Sequence, residues 1–207
     1  HIIVAMENNS QVFIPISVVD ELMSNDFSRV NSNWNRFYLS NVEGLVPDFS
    51  VNLKIQEILV TPDGGQERRA DYSKEIVDGW EYVLDARGNV LKDSLGNDVK
   101  RDKIVRVNAT VLELVQSKKA LLRSRLEIVN ERTGEQICSE NIEVEEIFGH
   151  VARNIIGDDR ALEQNMRARI QPLPFPSESD LIRDAFRGLK PKFVNEVRNA
   201  NFANYSN

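Results

Sequence analysis

The sequence predicts an α+β fold, with an antiparallel sheet of about five strands covered on one face by helices. Apolar and polar residues alternate over residues 119–130, and one face of this strand is formed by Ala120, Leu122, Ser124, Leu126 and Ile128. This two-residue period is typical of a strand with one buried and one wetter face. Over residues 177–197, apolar residues recur at helical spacing instead. Because amphipathic elements bury their apolar faces together, we expect this C-terminal helix to pack on the sheet.

The composition is that of a globular protein and does not point to nucleic acid as a partner. The 207 residues are 41% apolar and 28% charged, which are ordinary values for folded domains. With 26 basic and 32 acidic residues the net charge is −6, and the sequence has no basic tract suited to a phosphate backbone. No stretch reaches the roughly 18 apolar residues of a membrane-spanning helix. Because the chain begins with His1 and not with a methionine, we expect the natural chain to be longer.

Three parts are predicted along the chain: an N-terminal strand and helix region over residues 1–45, a single α+β domain over 46–200, and a frayed tail over 201–207. In the first part, two apolar runs flank a polar cluster at residues 7–10, which predicts a hairpin or a strand followed by a loop. Ser17 is the predicted N-cap of a short helix. Aromatic residues at helical spacing predict a second helix over residues 27–39.

Two strands and a flap are predicted in the first half of the α+β domain. Residues 49–60 alternate as in a strand and end at the Thr-Pro-Asp-Gly-Gly turn of residues 61–65. Residues 68–82 predict a shorter, irregular strand. Two glycine-bearing turns follow within residues 83–101, and we expect them to form a mobile, two-stranded flap that projects from the sheet, because Asp, Asn and Gly favour turns.

The core of the sheet is predicted to be three consecutive strands at residues 104–116, 119–130 and 135–148. Residues 117–118 and 131–134 are the expected hairpin loops between them, since both connections are short. Acidic residues of the third strand, such as Glu143, have one alternative role, which is to pair with Arg123 of the middle strand. We interpret them instead as a charged outer face of the sheet.

A short helix, an extended strap and the C-terminal helix are predicted after the sheet. Residues 158–169 combine an acidic first turn with a basic last turn, which the helix dipole favours. The proline-rich residues 171–176 predict an extended crossover that places Phe175 in the core. Ser177 is the predicted N-cap of the C-terminal helix, and Pro191 is expected to kink it.

Several separated motifs occur between residues 45 and 198. They are GWEYVLD at 79–85, DSLGND at 93–98, GDDRAL at 157–162 and PFPS at 174–177. These motifs resemble those of uncharacterised cell-envelope proteins of Bacteroidetes, many of which look like lipoproteins. The resemblance implies a location in the cell envelope, either periplasmic or as an outer-membrane lipoprotein. It also implies envelope proteins as partners, and membrane association only through a lipid anchor that these residues do not contain. It supplies no catalytic residue and no cofactor.

Five residues of the flap are candidates for a calcium site, because they carry hard oxygen ligands. They are Asp85, Asn89, Asp93, Asn97 and Asp98. The set lacks the alternating acidic positions and the closing bidentate Glu of a calcium-binding loop. Since turns require the same residue types, we interpret these residues as turns and predict neither a metal nor a cofactor.

The sequence contains no recognisable catalytic set. Cys138 is the single cysteine and lies on a predicted strand, where apolar packing explains it. His150 is the single internal histidine, has no accompanying G-x-S-x-G motif, and is interpreted as a residue hydrogen-bonded to the backbone. We therefore predict no catalytic residue. The alternative is a hydrolase or carbohydrate-active enzyme with two dispersed carboxyl groups about 5–10 Å apart across a cleft.

Trp80 and Tyr82 are candidates for an interaction surface because they lie two residues apart, beside the flap. One interpretation is that they cover the sheet, and the other is that they form an aromatic platform for a glycan or a partner protein. Together with Asn97 they are the residues that we predict for such a surface. The predicted function is a non-enzymatic envelope module that scaffolds or docks to other envelope components. The alternative is a hydrolase, a carbohydrate-active enzyme or a glycan-binding protein whose site is formed by dispersed acids and aromatic residues.

Overall fold

The computed structural model describes residues 1–24, 35–39, 44, 46–200 and 202. They form six strands, β1 (Ile2–Asn8), β2 (Phe37–Tyr38), β3 (Phe49–Val60), β4 (Gly64–Tyr82), β5 (Lys100–Asn130) and β6 (Gln136–Gly157). Two α-helices are described, α1 (Ile16–Met23) and α2 (Glu178–Asn199). Among the described residues, no helix is both long and apolar enough to cross a membrane.

The strands form one mixed sheet. The order of hydrogen-bonded neighbours is β2-β1-β3-β5-β4, and β6 also pairs with β5. β1 runs parallel to β2 and β3, whereas β3 and β5 are antiparallel. The combination of helices with a sheet, and the packing of α2 on it, confirm the general prediction. The prediction of about five antiparallel strands was wrong, since the sheet has six strands and some of them are parallel. Parallel neighbours require a crossover connection, and after β1 the chain passes through α1 before it reaches β2 and β3.

Contacts divide the chain into two compact units. The first unit is His1–Gly64, Ser117–Phe148 and Phe175–Asn207, and the second is Gly65–Gln116 and Gly149–Pro174. The chain passes from one unit to the other within β5 and within β6. This division falls at other positions than the predicted boundary at residue 45, and it places the N-terminal strand in the same unit as α2.

The first unit contains the larger apolar core. The predicted buried face of β5 is confirmed, since Leu122, Leu126 and Ile128 are fully buried. The neighbouring strand β3 contributes Val51 and Leu53 to the same buried face, in the same alternating pattern. The buried side chains of α2 are Leu181, Ile182, Ala185, Phe186, Leu189, Phe193, Val194 and Val197. The two periodicities of the sequence therefore meet in one core, as the layer rule requires.

Only the C-terminal helix begins where the sequence predicts. The hydroxyl of Ser177 accepts a hydrogen bond from the backbone N–H of Asp180 at 3.1 Å, and α2 continues through Pro191. α1 begins at Ile16, two residues earlier than a Ser17 cap would allow. Its N-cap is Pro15, whose carbonyl accepts a bond from the N–H of Val18 at 2.9 Å, so the Ser17 prediction was wrong.

The predicted hairpin loop at residues 117–118 was wrong, because β5 is continuous over 31 residues. Lys118 is only 6% exposed, and its amine makes an ion pair with Asp63 at 2.8 Å. The same amine donates to the carbonyl of Pro176 at 2.9 Å. A lysine whose charge is satisfied in this way can be buried within a strand. The loop at residues 131–134 does form a turn between β5 and β6.

One prediction about the N-terminal part also needs correction, and one residue of the predicted tail is described. Phe37 and Tyr38 belong to β2 and not to a helix, while most of the predicted helix at 27–39 lies outside the described residues. In the predicted tail, only Phe202 is described. It is buried, with its ring centroid 5.2 Å from that of Phe49 and 6.0 Å from that of Phe37. Edge-to-face aromatic contacts of this kind stabilise a core.

The second unit is a long, exposed sheet with a small core. β4 is 19 residues long, begins four residues before the predicted strand, and is hydrogen-bonded to β5. Asp71 accepts a bond from Thr110, and Glu81 one from Arg101, so the contacts run in opposite sequence directions, as in an antiparallel pair. The small core consists of Val107, Ala109, Val111, Ile155, Ala161 and Leu162.

Residues 158–169 form two single 3-10 turns, so the predicted helix was wrong. The carboxylate of Asp158 accepts bonds from the guanidinium and the backbone N–H of Arg160, which fixes a turn and lowers the pKa of Asp158. Gly157 precedes this turn with a φ of +97°, and a Cβ there would lie 2.5 Å from the carbonyl oxygen of Asn108. Only glycine suits that close approach.

The strap is extended, as predicted, and side chains fix it. The buried side-chain amide of Gln116 donates to the carbonyl of Leu173 at 2.8 Å and accepts from its N–H at 3.0 Å. Phe175 is half-buried, with its ring 5.5 Å from that of Phe148, so the prediction of a core position was wrong. The amide of Gln116 thus replaces the strand pairing that the proline-rich strap lacks.

Candidate interaction surface

The flap contains the same turn twice, eight residues apart. In the first copy, the carboxylate of Asp85 accepts bonds from the N–H of Arg87 at 2.8 Å and of Asn89 at 2.9 Å. Gly88 has a φ of +84° within this turn, a conformation that glycine adopts without strain. Backbone N–H donors, first that of Asn89, lower the pKa of Asp85.

The second copy repeats this arrangement. The carboxylate of Asp93 accepts bonds from the N–H of Leu95 at 2.9 Å and of Asn97 at 2.8 Å. Gly96 has a φ of +88°, and the pKa of Asp93 is lowered, first by the N–H of Asn97. Both carboxylates thus serve their own turns, as expected of Asx turns.

Three backbone segments meet at the base of these turns. The N–H of Val83 donates to Val99, that of Leu91 to Val83, and that of Val99 to Leu91, at 2.7–2.9 Å. The bridges between residues in the flap are isolated ones. The prediction of a two-stranded ribbon was therefore wrong, because the eight-residue repeat closes a ring of three segments.

The flap carboxylates that were candidates for calcium do not converge in the structure. Asp98 forms an ion pair with Lys92 at 2.9 Å, whereas Asp85 and Asp93 bind their own turns. Within the part of the chain that the structure describes, no three His, Cys, Asp or Glu side chains are grouped so that they could hold a metal ion. The turn interpretation accounts for the partners of Asp85 and Asp93, and an ion pair accounts for that of Asp98.

Trp80, Tyr82 and Lys100 lie together, and we call them the aromatic platform. The two ring centroids are 4.9 Å apart and the rings meet edge to face at 78°. The amine of Lys100 lies 3.6 Å from the centroid of Trp80 and 5.5 Å from that of Tyr82. Alternation along β4 turns Trp80 and Tyr82 to one face, while Glu81 between them pairs with Arg101 at 2.7 Å.

The aromatic platform is exposed. Trp80 is 52% and Tyr82 42% accessible, so these rings do not cover the sheet as one interpretation held. Other exposed apolar side chains of the same unit are Val77, Leu84, Leu95 and Ile104. A group of exposed large apolar residues is more informative than a single one, because such patches often bind partners.

Sequence reasoning identified the two rings but missed the residues of β5. Lys100, Asp102 and Ile104 alternate along this strand and therefore share a face. Because the amine of Lys100 contacts both rings, that face is the one that carries the aromatic platform. The strand alternation was a readable signal, although the pairing with Trp80 was not. Asn97 is bound within its own turn, 3.2 Å from Asp93, and the structure records no contact between it and the platform.

A cavity of about 650 Å³ also lies in the second unit, open to solvent. Its lining includes Leu112, Leu114 and the ion pair of Glu113 with Arg153, whose closest atoms are 2.8 Å apart. Trp80 is not part of the lining. Two acids, Glu67 and Glu113, line this cavity, and Arg153 already binds Glu113.

Contacts within the fold account for the single thiol, Cys138, and for the internal histidine, His150. Cys138 is half-buried against the core of the first unit, and its pKa is raised, first by burial and then by Glu140 and Glu196. A raised pKa keeps the thiol protonated and less nucleophilic. His150 lies 2.8 Å from the carbonyl oxygen of Gln171, which confirms its interpretation as a backbone-bonded residue.

Comparison with known proteins does not add a relative. No protein-family model matches the chain, and a search of curated proteins finds no match. The function is therefore inferred from the residues and their geometry.

Proposed function

We propose that the chain is a non-enzymatic docking module of the cell envelope and that it binds a protein partner through the aromatic platform. The observation that carries the proposal is the exposure of Trp80 and Tyr82 in a fixed arrangement beneath Lys100. Tryptophan and tyrosine are the residues that most often dominate protein–protein binding energy. A preordered arrangement also reduces the entropy that is lost on binding.

The surroundings of the platform support a surface suited to contact. Ile104 is 65% exposed on the same face of β5 as Lys100, so apolar area extends beyond the two rings. Leu84 and Leu95 add exposed apolar side chains in the flap. Burial of such side chains by a partner stabilises a complex by about 25 cal/mol per Å² of apolar area before the costs of association.

The position of Lys100 favours a protein partner over a glycan. A sugar stacks on an open aromatic face, but the Lys100 amine already lies 3.6 Å from the centre of the Trp80 ring. The edge of one ring against the other occupies further ring surface. A protein partner can contact the exposed edges of the rings and Ile104 together, because its side chains adapt to an uneven surface.

The envelope location rests on the resemblance of the GWEYVLD and DSLGND motifs to those of Bacteroidetes envelope proteins. The GWEYVLD motif includes Trp80 and Tyr82, and the DSLGND motif includes the second flap turn. The proposed partner is accordingly another envelope component. Membrane attachment, in this proposal, comes from a lipid anchor outside these residues and not from the platform.

Site-specific photocrosslinking in the native cells tests this function. A photoreactive residue at position 104 should capture a defined protein, and Trp80→Ala should abolish the capture. The matched control is the same probe at position 147, where Ile147 is 51% exposed on β6 in the first unit. Equal capture at both positions, or capture at 104 that Trp80→Ala leaves unchanged, would contradict docking through the platform. A captured partner from the cytosolic fraction would contradict the envelope location.

A further inference from the structure

We infer that the partner on the aromatic platform is a second copy of this chain, packed across a two-fold axis. This inference rests on the proposed function, because it names the occupant of the same surface. It follows from the opposite charges of Lys100 and Asp102. It also follows from the symmetry that a contact between two identical surfaces imposes.

Two opposite charges, Lys100 of the aromatic platform and the nearby Asp102, have no ionic partners among the described residues. Lys100 contacts the rings of Trp80 and Tyr82 but forms no ion pair with any described carboxylate. Asp102 likewise forms no ion pair with any described cation. Two of the neighbouring charges are paired within the chain, since Arg101 binds Glu81 at 2.7 Å and Asp98 binds Lys92 at 2.9 Å. The charges of Lys100 and Asp102 therefore remain available.

These two charges lie on one face of one strand. Lys100 and Asp102 are two residues apart in β5, so alternation places both on the face of Trp80, followed by the exposed Ile104. The surface is thus a short row of cation, anion and apolar residue beside two aromatic rings. Within this row, the pair of Lys100 and Asp102 is complementary to its own image after a two-fold rotation.

The two charges meet their opposites if a two-fold axis passes between positions 100 and 102 of the two protomers. In an isologous contact, if residue i of one protomer touches residue j of its partner, then j also touches i. Lys100 of each protomer would face Asp102 of the other, which gives two ion pairs, and the rings would be covered from water. A specific interface buries about 800 Å² per partner, so exposed flap residues such as Leu84 and Leu95 are expected to contribute area.

Sedimentation velocity of the 207-residue chain tests the inference. From about 1 to 500 µM, a range that brackets a micromolar Kd, the natural sequence should shift from monomer to dimer. Lys100→Glu and Asp102→Lys should each weaken the dimer by about tenfold or more, because each reversal creates two like-charge contacts. Lys103→Glu is the matched control, with the same change of charge on the opposite face of β5, and should dimerise like the natural sequence.

The decisive sample is an equal mixture of Lys100→Glu and Asp102→Lys. In a heterodimer of these variants, the glutamate introduced at position 100 of one protomer would meet the lysine introduced at position 102 of its partner. The unchanged Asp102 of the first protomer would meet the unchanged Lys100 of the second, so both ion pairs return and dimerisation should recover. A natural chain that stays monomeric, a mixture that does not recover, or an equal loss with Lys103→Glu would overturn the inference. A monomeric chain whose position-104 probe still captures another protein would overturn self-association alone and leave docking intact.

Discussion

Two pairs of aromatic residues, one in each unit, lie in opposite environments. In the first unit, Phe186 and Phe193 of α2 are 2% and 0% exposed in the core. In the second unit, Trp80 and Tyr82 keep 52% and 42% of their surfaces accessible. Burial of an aromatic side chain stabilises a fold, whereas its exposure does not. In the first unit, Phe186 and Phe193 therefore contribute to stability, whereas in the second unit Trp80 and Tyr82 lie on a surface.

Charged residues show the same contrast between an interior and a surface role. In the first unit, Lys118 is buried and held by Asp63 and Pro176. In the second, Lys100 covers exposed rings and has no described carboxylate partner. A buried charge must be satisfied within the fold, while an exposed one can be satisfied by a partner. Substitutions in each environment test this difference between the two units.

The largest difference is expected between Phe186→Ala and Trp80→Ala. Removal of the buried Phe186 ring should lower the free energy of unfolding by about 3–5 kcal/mol, because a cavity remains in the core. Trp80→Ala removes an exposed ring contact and a cation–π contact and should cost about 1–2 kcal/mol. Urea denaturation of the two variants measures both values. Equal losses would show that the platform is a structural element after all.

A smaller difference is expected between two adjacent lysines of β5. Lys118→Met should cost about 1–2 kcal/mol, because the carbonyl of Pro176 loses its donor. Lys119→Met removes an exposed pair with Glu145, 2.9 Å apart, and should change stability by only about 0.5 kcal/mol. The same denaturation experiment compares them. If Lys119→Met cost as much as Lys118→Met, burial would not be what distinguishes these residues.

The smallest expected effect is local and depends on pH. Backbone N–H donors lower the pKa of Asp85 and Asp93 below the ordinary 3.8. The stabilisation of each turn is therefore present above about pH 4 and is lost as the pH falls through the lowered pKa. The amide proton shifts of Asn89 and Asn97, followed by NMR, should titrate with midpoints below 3.8.

Asp85→Asn is the matched control for this titration. It should remove the titration of the Asn89 amide and leave that of Asn97, because the two turns have separate carboxylates. Midpoints at or above 3.8 would mean that the carboxylates do not accept the bonds described for the turns.

The sequence predicted those features that depend on local periodicity. The alternation through Leu122 and Leu126 and the helical stripe through Phe186 identified the elements that form the main core. The cap at Ser177 was also predictable, since its partner Asp180 is three residues away. In each case the residues that decide the structure lie within a few positions of each other.

Features that depend on distant residues could not be predicted in the same way. Residues 117–118 look like a turn, and only Asp63 and Pro176, each more than 50 positions away, explain why Lys118 lies in a strand. The parallel pairing of β1 with β3 likewise leaves no local signal. At the candidate site, the rings of Trp80 and Tyr82 were identified, but Lys100 was missed because it reaches them from another strand.

Carbene footprinting of Trp80 tests most directly the central claim that the platform is a binding surface. The labelling of Trp80 is compared between the dilute purified chain and the same chain in its native cells, with exposed Ile147 of the first unit as the internal reference. Labelling of Trp80 should fall severalfold in cells relative to that of Ile147, because a partner covers the platform. An unchanged ratio of Trp80 to Ile147 labelling would contradict the account.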